Sequence, residues 1–297
     1  MSDPLMTMDE ALIAALRAEP RASVLSLSRT TGFPRAVVAE RMKTLLEAQD
    51  LRIVAAVHPQ FSGHEVIAHV SVAAKGPTQP IVDLVSARDE CVLVSVVAGS
   101  YDFIMEVRVR THRELHTMLA EVRSQPDVAR IDTVIYSRVY KGYLEHEKLE
   151  RIPIDDVDRQ LLGRLQADGR AGWQELAAAV GLSPSAARAR VHRMLEARIV
   201  QIVVVQRRGR FGNVLTCGVG LTLDEDAGAV LPSLSEESFV EFAVSTIGRF
   251  DAIMTVQATS PPALYDTLES LRARPEIARI ESWTHLRSIK EDYTRRL

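Results

Sequence analysis

The sequence predicts an α+β fold built from two tandem copies of one module, and three observations lead there. A single shift of 149 positions lays landmarks of one half of the chain onto the other, Gly32 onto Gly181 among them. Each half opens with three short helical stretches separated by tight turns. Each half then passes into short apolar strands interleaved with helices in the order βαββαβ.

The shift holds along the whole chain. Arg41 falls on Arg190, and the segment 45–48 (LLEA) falls on 194–197 (MLEA). Gly99, Asp102 and Met105 fall on Gly248, Asp251 and Met254, and Pro126 falls on Pro275. The run ARI recurs at 129–131 and 278–280. One offset serving every landmark is the signature of an internal repeat. The charged stretch around 142–154, with Gly142 and Pro153, reads as the junction. The expected domains are residues 1–57 and 152–206 for the two helical parts, and 58–146 and 207–297 for the two α/β parts.

In the second copy, acids at the start of 155–170 suit a helix N-terminus, and Val157, Leu161, Leu162 and Leu165 recur at helical spacing. Gly169 stops that helix, and a second runs over 173–180. Gly181 supplies a tight turn, Ser183 an N-cap, and Pro184 the favoured first position of a third helix to Ala197. Three short helices with glycine between the second and third form a winged helix-turn-helix pattern, whose third helix reads the major groove of double-stranded DNA. The third helix has an apolar face of Ala187, Val191, Met194 and Leu195, with basic side chains around the rest. Its candidate DNA-binding residues are Ser183, Ser185, Arg188, Arg190, His192 and Arg193. The first copy, with helices at 8–18, 24–31 and 34–48, offers Arg35, Arg41 and Lys43. It lacks a Ser or Thr cap before Arg35 and carries Glu40 mid-helix, so the second copy is expected to read DNA more strongly.

After short apolar segments at 53–57 and 202–206, each α/β part follows. In the first copy the strands are 65–73, 91–99, 101–109 and 128–140, with helices 81–88 and 111–125. Phe103, Met105, Val107 and Val109 alternate to one side. In the second copy the strands are 214–223, 239–247, 251–259 and 277–289. The helix expected at 226–235 contains glycine and proline and reads as short. Such a ferredoxin-like domain covers one sheet face with helices and leaves the other apolar, so the two domains are expected to pair sheet against sheet.

Composition narrows the class of protein. The chain has 297 residues, 46% of them hydrophobic, too apolar for a disordered chain. The net charge of −3 leaves any DNA affinity to local basic patches. The two cysteines, Cys91 and Cys217, sit in strand-like surroundings and form no metal-binding spacing with each other or with the eight histidines. The N-terminus lacks the order of a secretory signal, and no apolar run is long enough to span a bilayer, so a cytoplasmic location is expected. No metal and no cofactor is implied, nor is an enzyme.

The stretch 158–200 and the paired stretches 98–107 (AGSYDFIMEV) and 247–256 (IGRFDAIMTV) resemble the Lrp/AsnC family of leucine-responsive, or feast/famine, regulators, in tandem form. The resemblance implies a transcriptional regulator that binds DNA, assembles as a homodimer or larger homo-oligomer through its α/β domains, and responds to a small-molecule effector such as an amino acid. It implies effector-site loops containing Gly99, Tyr101, Asp102, Gly248, Phe250 and Asp251. Glycine in such loops also serves tight strand-to-strand turns, and the aspartates also serve as turn caps. The family's common glycine after the third helix is replaced here by Asp50 and Ile199, so the exit from that helix is expected to differ. An effector is expected to act by altering the spacing of the reading helices.

Two other functions compete. Siroheme decarboxylases resemble this same regulator architecture, and that reading would call on His112, His116, His285 and Arg287, whose spacing shows no acid/base pair. A metabolite-binding protein with vestigial DNA-binding parts is the other.

Overall fold

The computed structural model describes residues 4–59, 61, 63–142, 152–206 and 214–292; at 4–7 and 206 only the backbone is described. Its elements run α1 (Pro4–Ala18), α2 (Val24–Thr31), α3 (Arg35–Glu47), β1 (Leu51–Val57), β2 (Val66–Ala74), α4 (Gln79–Ser86), β3 (Cys91–Ala98), β4 (Phe103–Val109), α5 (His112–Arg123) and β5 (Val128–Lys141). The same order then recurs as α6 (Asp156–Ala167), α7 (Trp173–Val180), α8 (Pro184–Glu196), β6 (Val200–Gln206), β7 (Leu215–Leu223), α9 (Ala227–Glu236), β8 (Val240–Ile247), β9 (Ala252–Ala258), α10 (Pro261–Arg272) and β10 (Ile277–Glu291). Most of the junction expected at 142–154 lies outside the described residues.

Two elements depart from the sequence reading. Helix α1 begins at Pro4, four residues before the expected start, because proline is pre-organised for a first helical turn. The doubtful helix is a full ten residues, α9. Asp226 caps it by accepting from the Gly228 amide at 2.7 Å, and Val230, Leu231 and Leu234 bury one face, which outweighs Pro232 within it.

The chain forms two compact units. The first gathers both three-helix parts, α1–α3 with β1 and α6–α8 with β6. Here β1 and β6 pair antiparallel over their full lengths, Leu51 opposite Gln206 through Val57 opposite Val200. A single core joins Leu12, Leu16, Leu27, Val38 and Leu45 with Leu161, Leu162, Leu165, Val191 and Met194. Gly169 sits where a Cβ would come within 2.9 Å of the Ile53 oxygen and the Val54 nitrogen, so the second copy's turn lies directly on the first copy's strand. The Gly169 amide donates to the Ile53 carbonyl at 2.7 Å.

The second unit gathers the remaining elements in a closed eight-stranded antiparallel barrel, β10-β3-β4-β2-β5-β8-β9-β7. Each copy contributes four adjacent strands, and the pairs β5–β8 and β10–β3 stitch the two sets together. The expectation of sheet facing sheet is therefore incomplete, because the sheet edges are joined as well. The cause is length. The last strands have 14 and 15 residues and outrun their own sheets, so each continues along the other copy's second strand. The helices cover the outside over two aliphatic cores, one around Val70, Phe103 and Met105 and one around Val219, Leu231 and Met254. The barrel interior has a third core of Leu93, Val97, Ile104, Val134, Val139, Val244, Phe250, Ile253 and Trp283. Closure leaves no free strand edge in this sheet, which removes the usual template for strand-to-strand aggregation. No helix among the described residues is long and apolar enough to cross a membrane.

Candidate nucleic-acid interface

Helices α3 and α8 each follow a left-handed glycine. Gly32 and Gly181 have φ of 76° and 68°, and each closes the preceding helix with its own amide. The entries then differ. Ser183 caps α8 by accepting from the Ala186 amide at 3.2 Å, and its hydroxyl lies 3.0 Å from that of Ser185. Helix α3 begins after Pro34, without a side-chain cap.

The candidate basic residues fall into two groups. Arg188 and His192 point outward on α8, with Arg188 Nε 3.3 Å from His192 Nε2. Trp173 of α7 lies beside both, its ring 5.9 Å from that of His192 and 6.0 Å from the Arg188 guanidinium. Ser183 and Ser185 are exposed at the same end. On α3, Arg35 and Lys43 are exposed, and Lys43 lies 3.9 Å from Glu47.

Arg41, Arg190 and Arg193 turn toward the first helix of their own copy. Arg41 binds Asp9 through two bonds of 2.6 Å. Arg190 donates to Asp155 at 2.8 Å and to Asp158 at 3.0 Å, and Arg193 to Asp158 at 2.6 Å. Asp158 is fully buried, and it also accepts from the Asp155 amide to complete a capping box. Bonding to Asp9 raises the Arg41 guanidinium above its ordinary pKa, and the bond from Asp155 does the same for Arg190. The Asp158 amide, followed by Arg190, lowers the Asp155 carboxyl. These three arginines therefore brace the third helix against the first, and a phosphate would have to compete with carboxylates already in place.

Beyond α3 and α8 the chain turns through Gln49 and Arg198, which have positive φ of 54° and 56°. Amides of Asp50 and Ile199 reach back to the Leu45 and Met194 carbonyls, closing a Schellman turn in each copy. The left-handed step thus falls one residue before the positions where the family's glycine was expected, Asp50 and Ile199.

The six loop residues named for effector binding occupy the turns between β3 and β4 and between β8 and β9. Asp102 accepts from the Ala74 amide at 2.8 Å, and Asp251 accepts from the Leu223 amide at 2.8 Å. Each aspartate thereby ties its turn to the end of a neighbouring strand. Gly99 and Gly248 have φ of 151° and 149°. A Cβ on Gly99 would crowd Ser282 and Trp283, and one on Gly248 would crowd Thr133 and Val134, so each turn packs on the last strand of the other copy. The buried Tyr101 hydroxyl donates to Asp132, and Phe250 is buried against Trp283. Arg249 lies 5.0 Å from the Tyr101 ring and 4.0 Å from that of Phe250, and it holds Glu281 through bonds of 2.9 and 2.8 Å. The Arg249 guanidinium keeps the Glu281 carboxyl below its usual range.

The barrel also holds a polar cluster outside the candidate residues named above. Glu106 and Arg108 form a buried ion pair at 2.7 Å. Burial, followed by the Glu106 charge, pushes the Tyr136 phenol up. His69 is buried 3.1 Å from the Ser71 hydroxyl. Glu106 and Arg108 alternate with the apolar residues assigned to the opposite face, and that alternation is the signal that they line the barrel. The four residues considered for a decarboxylase do not converge. His112 and His116 are exposed on α5 in the outer helical layer, and Arg287 is exposed on β10. His285 lies 2.8 Å from Ser95. Among the described residues no group of three or more histidine, cysteine or acidic side chains is placed to hold a metal.

Residues 154–195 match the AsnC-type helix-turn-helix domain, and residues 65–144 match the Lrp/AsnC ligand binding domain. The transcriptional regulator LrpA of Mycobacterium tuberculosis is 35% identical over 130 residues, which are 42% of this chain and 85% of that protein. The chain belongs to the Lrp/AsnC family. The regulator FL11 of Pyrococcus horikoshii is 26% identical over 147 residues, 49% of this chain and 97% of its own length, so one copy of this family's module accounts for about half of the present chain. The siroheme decarboxylase NirDL, crystallised with an iron-uroporphyrin III analogue, shares the fold across 97% of this chain and 95% of its own, with a TM-score of 0.64 and 10% identity.

Proposed function

We propose that this Lrp/AsnC protein is a sequence-specific DNA-binding transcriptional regulator made of two fused family modules, with the domain limits expected above, and that it responds to a small metabolite. The observation that carries this reading is the outward row on α8, Ser183, Ser185, Arg188 and His192, within an AsnC-type helix-turn-helix. A guanidinium presented at the surface of a reading helix suits phosphate oxygens and guanine edges. Fusion supplies two reading helices from one chain, and their shared core and the β1–β6 ladder hold α3 and α8 together. An effector therefore acts by repositioning the pair as a body, or by changing how chains assemble, and not by parting the two helices within a chain. The effector belongs at the turns around Gly99 and Gly248, and larger assemblies form through the surfaces of the barrel unit.

The test is binding of purified protein to fragments of its own upstream DNA, with competitor DNA present. Retention of one fragment at competitor levels that strip the others supports the reading. Equal affinity for every fragment contradicts it. The whole-chain likeness to a siroheme decarboxylase motivates a second assay, the absorbance of the protein mixed with an iron tetrapyrrole. The regulator reading predicts an unaltered spectrum and no loss of carboxyl groups.

A further inference from the structure

The two third helices, α3 and α8, belong to one compact unit, yet their outward faces are chemically different. The 149-residue offset lays α3 on α8 residue by residue, with Arg41 on Arg190 and the buried Val38 and Leu45 on the buried Ala187 and Met194. In this frame exposed Arg188 of α8 stands where α3 has Ala39. Exposed Glu40 of α3 stands where α8 has Ala189, and exposed Lys43 stands where α8 has His192. The outward centre of α8 is thus cationic, and that of α3 carries a carboxylate. The β1–β6 ladder and the common core join the copies in one arrangement, so the two faces meet DNA as a fixed pair.

We propose, resting on the regulator reading above, that a single chain reads an asymmetric operator in one fixed orientation. Arg188 takes a guanine edge in one half-site. Glu40 accepts from a cytosine amino group in the other, the base-edge donor that suits a carboxylate. A symmetric dimer of single modules presents the same chemistry twice and is matched by a palindrome. A fused pair whose copies have diverged at these positions is not.

The experiment is selection of binding sites from a random duplex pool by the full chain and by its Arg188→Ala and Glu40→Ala variants. Both side chains are exposed, so the variants leave the core untouched. The wild type should enrich a site whose two halves within the footprint of one chain differ. Arg188→Ala should lose about tenfold discrimination at a guanine in one half only. Glu40→Ala should lose preference for cytosine in the other half only. Two like half-sites within the footprint of one chain, or equal effects of either variant on both halves, overturn the asymmetric operator while leaving the regulator reading intact; an inverted repeat of the whole asymmetric site is what a two-fold pair of chains selects. Failure to enrich any sequence overturns the regulator reading and this proposal together.

Discussion

Arg21 and Arg170 each grip the backbone on both sides of the other. Arg170 donates to the Pro20 and Ala22 carbonyls at 2.7 Å each, and Arg21 donates to the carbonyls of Gly169 and, at 2.7 Å, Ala171. The two arginines are one repeat apart, so this reciprocal clasp follows the internal symmetry of the chain. Arg21 also lies 4.4 Å over the Trp173 ring. Burial lowers both guanidinium groups from their ordinary pKa, and for Arg21 the Arg170 charge adds to that. Replacing either arginine by alanine removes two part-buried charge-assisted bonds and should cost about 2–4 kcal/mol. The double variant should cost less or more than the sum by at least about 0.5 kcal/mol, since both bridge the same pair of turns. Urea unfolding of the four proteins in the cycle measures this.

The turn after α3 offers a stabilising change. Gln49 is exposed and holds φ of 54°, a region unfavourable for any residue with a Cβ. Gln49→Gly should raise stability by about 0.5–1 kcal/mol, read as a higher denaturation midpoint with an unchanged slope.

Inside the barrel, volume has been exchanged between paired strand positions. His69 pairs with Val134 in the first copy, whereas Gly218 pairs with Trp283 in the second. A Cβ on Gly218 would lie 2.1 Å from Trp283 Nε1. Gly218→Ala should therefore destabilise by about 1–3 kcal/mol. Adding Trp283→Val, the residue found at the equivalent position of the first copy, should recover part of that loss, measurable by thermal unfolding.

His69 makes stability depend on pH. Burial, followed by the Arg249 charge, lowers its pKa to about 3 from an ordinary value of 6.5. Between these values the unfolded chain binds the proton and the folded one does not, so stability is full above about pH 6.5 and falls as the solution is acidified. The expected slope from this group approaches about 1.4 kcal/mol per pH unit. His69→Gln should flatten that part of the profile in denaturant titrations from pH 4 to 7.

Much of this was legible in the sequence because it was periodic. Gly99 and Gly248, Asp102 and Asp251, and the helical faces around Leu161 and Met194 declared themselves by spacing. Contacts between copies did not. Nothing in the pattern of 53–57 or 202–206 says that the two strands pair with each other, and Arg21 and Arg170 matched at the common offset without revealing what they grip. The acids at 155–158 suited a helix start, which concealed their second role of binding Arg190 and Arg193. In the sequence an arginine on this helix looks alike whether it points outward or toward a buried carboxylate, and only the geometry separates Arg188 from its neighbours.

Whether α8 reads DNA through Arg188 is decided by comparing the salt dependence of binding for the wild type and Arg188→Ala on the fragment the wild type prefers. Weaker binding by the variant is expected and, to the extent that Arg188 also neutralises a phosphate, a plot of log affinity against log salt about one unit shallower. Identical affinity and identical slope for the two proteins would contradict a DNA contact through Arg188.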